Sequence, residues 1–228
     1  MFHHPFRSAG SQSARMGLTR TEFVVSVGIL SLLAAVTFGP ISDYLEKARI
    51  NRAVESARTL NTLLSQYATD NNGVYPAGED TPAPGKSEGI ARNLLGNNYT
   101  PDASVFAVGS TPKYRGTAPD YADLTAANMS WDFTGGANAT TGITSTAPDL
   151  LPTVYTTGET VIYPKTAGTA LNLPLSGMGP FAKNGMVVAY KGNNALFIEG
   201  TLSGTITECR GFISIEFPGG GPYTQIKP

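Results

Sequence analysis

The feature that most constrains this chain is a run of twenty residues without a charge, Phe23 to Ser42 (FVVSVGILSLLAAVTFGPIS). At 1.5 Å per residue a helix of that length reaches across the hydrocarbon core of a bilayer, so the run predicts a membrane-spanning segment. Ahead of it lies MFHHPFRSAGSQSARMG, which holds Arg7 and Arg15 and no acidic residue. Positive residues stay on the cytoplasmic side, so the expected orientation is N-in and C-out. Beyond position 73 the composition changes to Gly, Pro, Thr and Asn, which suits a turn-rich head outside the cytoplasm.

Three readings of the apolar run compete, and Glu22 distinguishes them. A secretory signal needs a small-x-small cut site, and LLAAVTFGP offers Ala34 and Ala35 without a clean Ala-x-Ala. A plain anchor tolerates Arg20 and Glu22 at headgroup level, where a charge costs little. The third reading explains the acid. In ARMG LTRTEFVVSVGILSLLAAVTFGP a glycine precedes the hydrophobic Leu18, and Glu22 is the fifth residue after that junction. This resembles the prepilin-type signal of type IV pilins and type II secretion pseudopilins. The resemblance implies cleavage between Gly17 and Leu18 by prepilin peptidase, methylation of the new amine on Leu18, and a role for Glu22 in neutralising the terminal amine of a neighbouring subunit. Two charges that are each costly at membrane depth lose that penalty when they pair across subunits. Arg20 and Pro40 depart from the family pattern, Arg20 standing where an apolar residue is usual and Pro40 lying one residue late.

Past Pro40 the pattern turns periodic. Ile50, Ala53, Val54, Ala57, Leu60, Leu64 and Tyr67 recur at three- and four-residue steps and predict one apolar stripe. Glu46, Arg49, Arg52, Glu55, Arg58, Thr62 and Gln66 occupy the opposite, solvated face. Asp70-Asn71-Asn72-Gly73 ends the helix, with glycine as the left-handed stop. The stretch SARTLNTLLSQYATDNNGVYPAG is similar to the place where pilin helices hand over to their heads, so the resemblance covers Arg15 to Pro76.

The segment from Thr81 to about Thr153 reads as long loops with isolated strands or turns, around apolar islands at Ser104 to Val108 and Ser130 to Phe133. Later, TVIYP, GMVVAY, NALFIEG and GFISIEF are strand-like, and Lys191-Gly192-Asn193-Asn194 is a hairpin turn between the second and third. An antiparallel sheet against the amphipathic helix follows. The expected fold class is α+β and pilin-like: a long N-terminal helix, with a transmembrane half and an amphipathic half, packed on an antiparallel β-sheet head with long loops. The expected division is a cleaved leader at 1–17, a transmembrane and filament-core helix at 18–42, an amphipathic stalk helix at 43–73 and a β-rich extracytoplasmic head at 74–228.

Chemistry-bearing motifs are sparse. His3 and His4 both precede the Gly17–Leu18 junction, and no GxSxG, Walker-type or HExxH sequence is present, so no catalytic residues and no enzymatic activity are expected. Asp120, Asp123, Asp132 and Asp149 match no EF-hand spacing and read as turn and strand-edge aspartates; neither a metal site nor a cofactor is expected. The single cysteine, Cys209, excludes an intrachain disulfide. Tyr114, Tyr121, Trp131 and Phe133 read as core. The triplets beginning at Asn98, Asn128 and Asn138 read as composition. With 16 basic and 17 acidic residues, nothing points to nucleic acid.

The resemblance implies a structural subunit without turnover. Its partners would be prepilin peptidase, other pilin or pseudopilin subunits in a homo- or heteropolymer, and the inner membrane with its assembly platform. The product is a type II secretion pseudopilus or a type IV pilus-like fibre, and the sequence leaves that choice open. The alternative is a membrane-anchored extracytoplasmic binding protein that does not polymerise.

Overall fold

Fifty-one consecutive residues, Arg20–Asp70, form helix α1, assigned without a break at Pro40. The computed structural model describes residues 19–78, 84–109, 111–113, 121, 124–161, 163, 173–201, 204–206 and 222–228, except the side chains of 35–40. The expected leader at 1–17, Leu18, Tyr114, Asp120, Asp123, Cys209 and the GFISIEF segment lie outside these residues. By contacts the chain divides into two units, Met1–Leu45 and Glu46–Pro228. In the first, Phe23, Val24, Val25, Val27, Leu30 and Leu33 are exposed, on successive sides of the helix. Among the described residues no helix is long and apolar enough to cross a membrane; the charge-free run 23–42 includes the side chains at 35–40 that are not described.

In the second unit α1 behaves as its periodicity requires. Ala53, Ala57, Leu60 and Leu64 are buried, Ile50, Val54 and Tyr67 pack at the border of the same cluster, and Arg49, Arg52, Glu55, Arg58, Thr62 and Gln66 are exposed. Burying one leucine side chain contributes about 1.5–3 kcal/mol, so this stripe outweighs helix propensity as the cause of the element. The stop takes two residues: Asn72 and Gly73 are both left-handed, at φ 55° and 79°, and the Gly73 amide donates to the Ala68 carbonyl at 2.7 Å. A Cβ on Gly73 would be strained at that φ and would stand 2.6 Å from Ser145 Oγ, which would have to turn away.

The region read as loops contains a second helix, α2, at Ser87–Gly96. It buries Ile90, Ala91, Leu94 and Leu95. Gly89, Asn93 and Gly96 dilute that stripe over ten residues, and packing rather than propensity makes it helical. The island at 104–108 becomes a short 3-10 helix, Ala103–Phe106, whose first turn is capped by Asp102 accepting from the Ser104 amide. The island at 130–133 becomes β1, Trp131–Gly135, which is not isolated but has a strand on each side.

The remaining strands are β2 (Pro152–Thr156), β3 (Leu173–Pro174), β4 (Gly185–Tyr190), β5 (Asn194–Glu199), β6 (Thr205–Ile206) and β7 (Thr224–Ile226). Five form an antiparallel sheet in the order β5-β4-β2-β1-β7, while β3 and β6 pair separately. GMVVAY and NALFIE are β4 and β5, joined at Lys191–Asn193 with Asn193 left-handed at φ 61°. In TVIYP the described residues Thr160, Val161 and Tyr163 lie in no strand, and the Val161 amide donates instead to the Gln225 side chain.

Both faces of the central strands are buried. One carries Trp131, Phe133, Val154, Val187 and Ala189 against α1 and α2. The other carries Tyr155, Met186, Val188 and Tyr190 against Leu173, Leu175 and Ile206 of the small sheet and its flank. The register of β2 on β4 slips between Pro152 and Val154, and Thr153 there donates through Oγ1 to Asn61 Oδ1 at 2.6 Å. Asn61, fully buried, also donates through Nδ2 to the Tyr190 carbonyl at 2.9 Å. These bonds tie α1 to β2 and β4.

Leu60→Ala is expected to lower the unfolding free energy by about 2–5 kcal/mol. Asn61→Ala, which removes two buried hydrogen bonds while the Tyr190 carbonyl keeps the Asn193 amide and the Thr153 hydroxyl keeps the Ala189 carbonyl, is expected to lower it by about 1–3 kcal/mol. Gln66→Ala on the exposed face should change it by less than about 0.5 kcal/mol. Urea titration followed by the fluorescence of Trp131 measures all three.

Candidate functional site

The start of α1 is built by four residues, Thr19-Arg20-Thr21-Glu22. The Thr19 carbonyl accepts the Phe23 amide at 3.0 Å, the first helical bond. Thr19 Oγ1 accepts the Glu22 amide at 3.2 Å, and Glu22 Oε2 accepts the Thr19 amide at 2.8 Å and the Thr19 hydroxyl at 2.9 Å. This reciprocal pair is a capping box, which satisfies donors that a helix start leaves without partners. It holds a carboxylate at the positive end of the helix dipole. Oε1 has no partner among the described residues.

Glu22 thus sits in the first turn, while Gly17 and Leu18 fall outside the described residues. Arg20 is the first helical residue and has no ion-pair partner among the described residues. Thr19 was missed, although T-x-x-E directly before an apolar run is a legible capping signature.

Of the aspartates weighed as oxygen ligands, Asp132 and Asp149 are described, and their surroundings differ. Asp132 is buried in β1, whereas Asp149 is exposed and ion-paired to Lys191 at 2.9 Å beside the hairpin turn. Among the described residues no group of three or more His, Cys, Asp or Glu side chains is placed to hold a metal ion. Tyr121, Trp131 and Phe133 lie in the core, with Trp131 Nε1 donating to the Val105 carbonyl at 2.9 Å. Asn98 and Asn138 are exposed; Asn128 is half-buried and donates to the Pro112 carbonyl.

A second polar arrangement lies between the sheet and its outer cover. Gln225 of β7 donates through Nε2 to Asp132 Oδ2 at 2.6 Å and to the Glu159 carbonyl at 2.7 Å. Its Oε1 accepts the Val161 amide at 3.1 Å. Beside it the Tyr155 and Tyr163 hydroxyls meet at 2.9 Å, Tyr163 meets Thr134 Oγ1 at 2.6 Å, and Thr134 donates to the Pro152 carbonyl. Burial raises both tyrosines above their ordinary range. Asp132 Oδ1 has no partner among the described residues. Burial pushes the Asp132 carboxyl up to about 6, while Thr157, Gln225 and the Lys227 charge act downward and Glu159 upward. With Asp132 and Tyr155 fully buried, the cluster fastens β7 to the 159–161 segment. Nothing in the sequence pattern marks Gln225, because its partners come from residues 66 and 93 positions away.

For Asp132 the folded state holds the proton more tightly than the unfolded chain does. Its stabilising contribution is therefore full below about 3.8 and is lost as pH rises through about 6, a difference of roughly 3 kcal/mol. Urea midpoints between pH 4 and 7 should show this fall, and Asp132→Asn should flatten it. Thr19→Ala should reduce helical ellipticity modestly, at about 1 kcal/mol.

No protein-family model matches this chain, and no solved structure matches it.

Proposed function

We propose that this chain is a structural subunit of the type IV pilin and type II pseudopilin kind. Prepilin peptidase cuts between Gly17 and Leu18, Leu18 is methylated, and the subunit joins a fibre through its N-terminal helix. The observation that supports this reading is in the first unit: the described large apolar side chains between Phe23 and Leu33, with Ile41, Tyr44 and Leu45, are exposed around the helix, from 45% at Val27 to 76% at Tyr44. A helix that is apolar all round belongs in lipid or in the core of an assembly. Both environments are supplied in turn by an inner membrane, crossed once with the N-terminus inside, and by a bundle of like helices. Moving between them is roughly neutral for apolar surface, so packing and paired charge set the preference. Glu22, with one oxygen held by Thr19 and one left over, serves the next subunit's amine. The assembly platform and other subunits are the partners, the pilin-like fold is the scaffold, and no turnover is involved.

One observation favours the second reading, a membrane-anchored binding protein that stays single. Thr19 already engages Glu22 within the chain, so a capping role accounts for the acid without a fibre.

Peptide mass spectrometry of the membrane-extracted protein should find a terminus at methylated Leu18; a terminus at Met1 rules the fibre reading out. Glu22→Ala and Thr19→Ala then separate the two roles. Both remove the cap, but a fibre subunit loses sedimentable polymer with Glu22→Ala and keeps it with Thr19→Ala. An anchored monomer shows no difference between them.

A further inference from the structure

The first turn of α1 carries two opposite charges that do not meet within the chain. Arg20 and Glu22 are two residues apart, about 200° around the helix, so they stand on nearly opposite sides. Both are exposed, and Arg20 has no ion-pair partner among the described residues. A carboxylate has about four acceptor positions. Thr19 engages Oε2 twice, through its amide and its hydroxyl, which leaves the positions on Oε1.

The apolar surface that follows differs between the same two sides. Val25 and Ile29, three and seven residues after Glu22, share its side of the helix and are exposed. On the Arg20 side Val24 and Val27 are followed by Gly28 and Ser31. Ser31 is folded back on the helix, its Oγ donating to the Val27 carbonyl at 2.8 Å. A Cβ on Gly28 would meet nothing within 4 Å, so no contact inside the chain requires glycine there, although it costs about 1 kcal/mol of helix propensity relative to alanine. Small residues at such places let two helix backbones approach closely in a membrane.

We propose that these two sides are the two halves of one contact between parallel copies of this chain. Arg20 of one copy pairs with Glu22 Oε1 of the next, and Val25 and Ile29 of that next copy seat against Gly28 and Ser31. The proposal rests on the fibre reading above and deepens it: the two acceptor positions on Oε1 take one cation each, the terminal amine and Arg20. A charge that is costly alone at membrane depth loses that penalty in the pair. A contact between unlike sides leaves one side of each kind open on the assembly, so it adds further copies. A symmetric parallel pair would instead set like charge against like, which costs stability.

The test follows sedimentable polymer and cross-linking of the full chain in the cells that produce it, with the terminus of every variant read by peptide mass spectrometry. Arg20→Gln should keep a terminus at Leu18 and lose polymer by about fivefold or more, while Arg20→Lys, which keeps the charge, should lose less than about twofold. In a Cys209→Ser background, copies carrying Ile29→Cys and copies carrying Ser31→Cys should cross-link to each other through a short bismaleimide about fivefold more than either does to itself. The proposal is overturned, with the fibre reading intact, if processed Arg20→Gln polymerises like the native chain, or if the Ile29→Cys copies cross-link mainly to themselves. Should Arg20→Gln escape processing, the cross-linking decides, since it leaves both charges in place. A native chain that starts at Met1 and yields no polymer overturns the fibre reading and the proposal with it.

Discussion

The structure from Glu46 onward depends on one face of α1 reaching the sheet. Ala53 and Ala57 bring the helix close, and Leu60, Leu63 and Leu64 fill the space against Trp131, Phe133, Val154 and Val187. Asn61 sits in the middle of this apolar contact. A buried amide is tolerable only with its partners in place, and both come from the sheet: the Tyr190 carbonyl and the Thr153 hydroxyl. The slip in β2 belongs to the same constraint, since it accompanies the turn of Thr153 towards the helix. Apolar burial supplies most of the free energy, and the polar pair selects one register of helix on sheet.

Once the helix covers one face, the strands still have another. β1, β2 and β4 are buried throughout, which a two-layer fold would not require, and the small β3–β6 sheet supplies the cover. Among the described residues β7 pairs with β1 through three residues, and its side chains add to that hold: Gln225 reaches Asp132 and the 159–161 backbone, and Ile226 fills the helix side. The same end of the chain meets α2, where the Ser87 amide donates to the Lys227 carbonyl at 3.0 Å. The buried carboxyl of Asp132 is a net liability at neutral pH that the surrounding packing over-rides.

The two ends of α1 do different work. Thr19 and Glu22 organise its first turn with donors and acceptors from within four residues of each other, leaving one carboxylate oxygen outward. Near the other end, charged residues face solvent. Between these two ends the described large apolar side chains from Phe23 to Leu33, with Ile41, Tyr44 and Leu45, are exposed.

What the sequence by itself determined is what rests on short-range periodicity: the α1 stripe, its Asn-Gly stop, the β4–β5 hairpin, the buried aromatic residues and the α+β class. Each is encoded within about ten residues, so local patterning carries it. The capping pair at Thr19 and Glu22 is equally local, a T-x-x-E signature within four residues. Only the tertiary structure decided the rest. α2 has too few apolar residues to declare itself and becomes a helix by packing; β1 looks like an island until β2 and β7 flank it; and Asn61, Asp132 and Gln225 have partners that are distant in sequence. Contacts of that kind have no local period, because the free energy that stabilises them appears only when the layers close on each other.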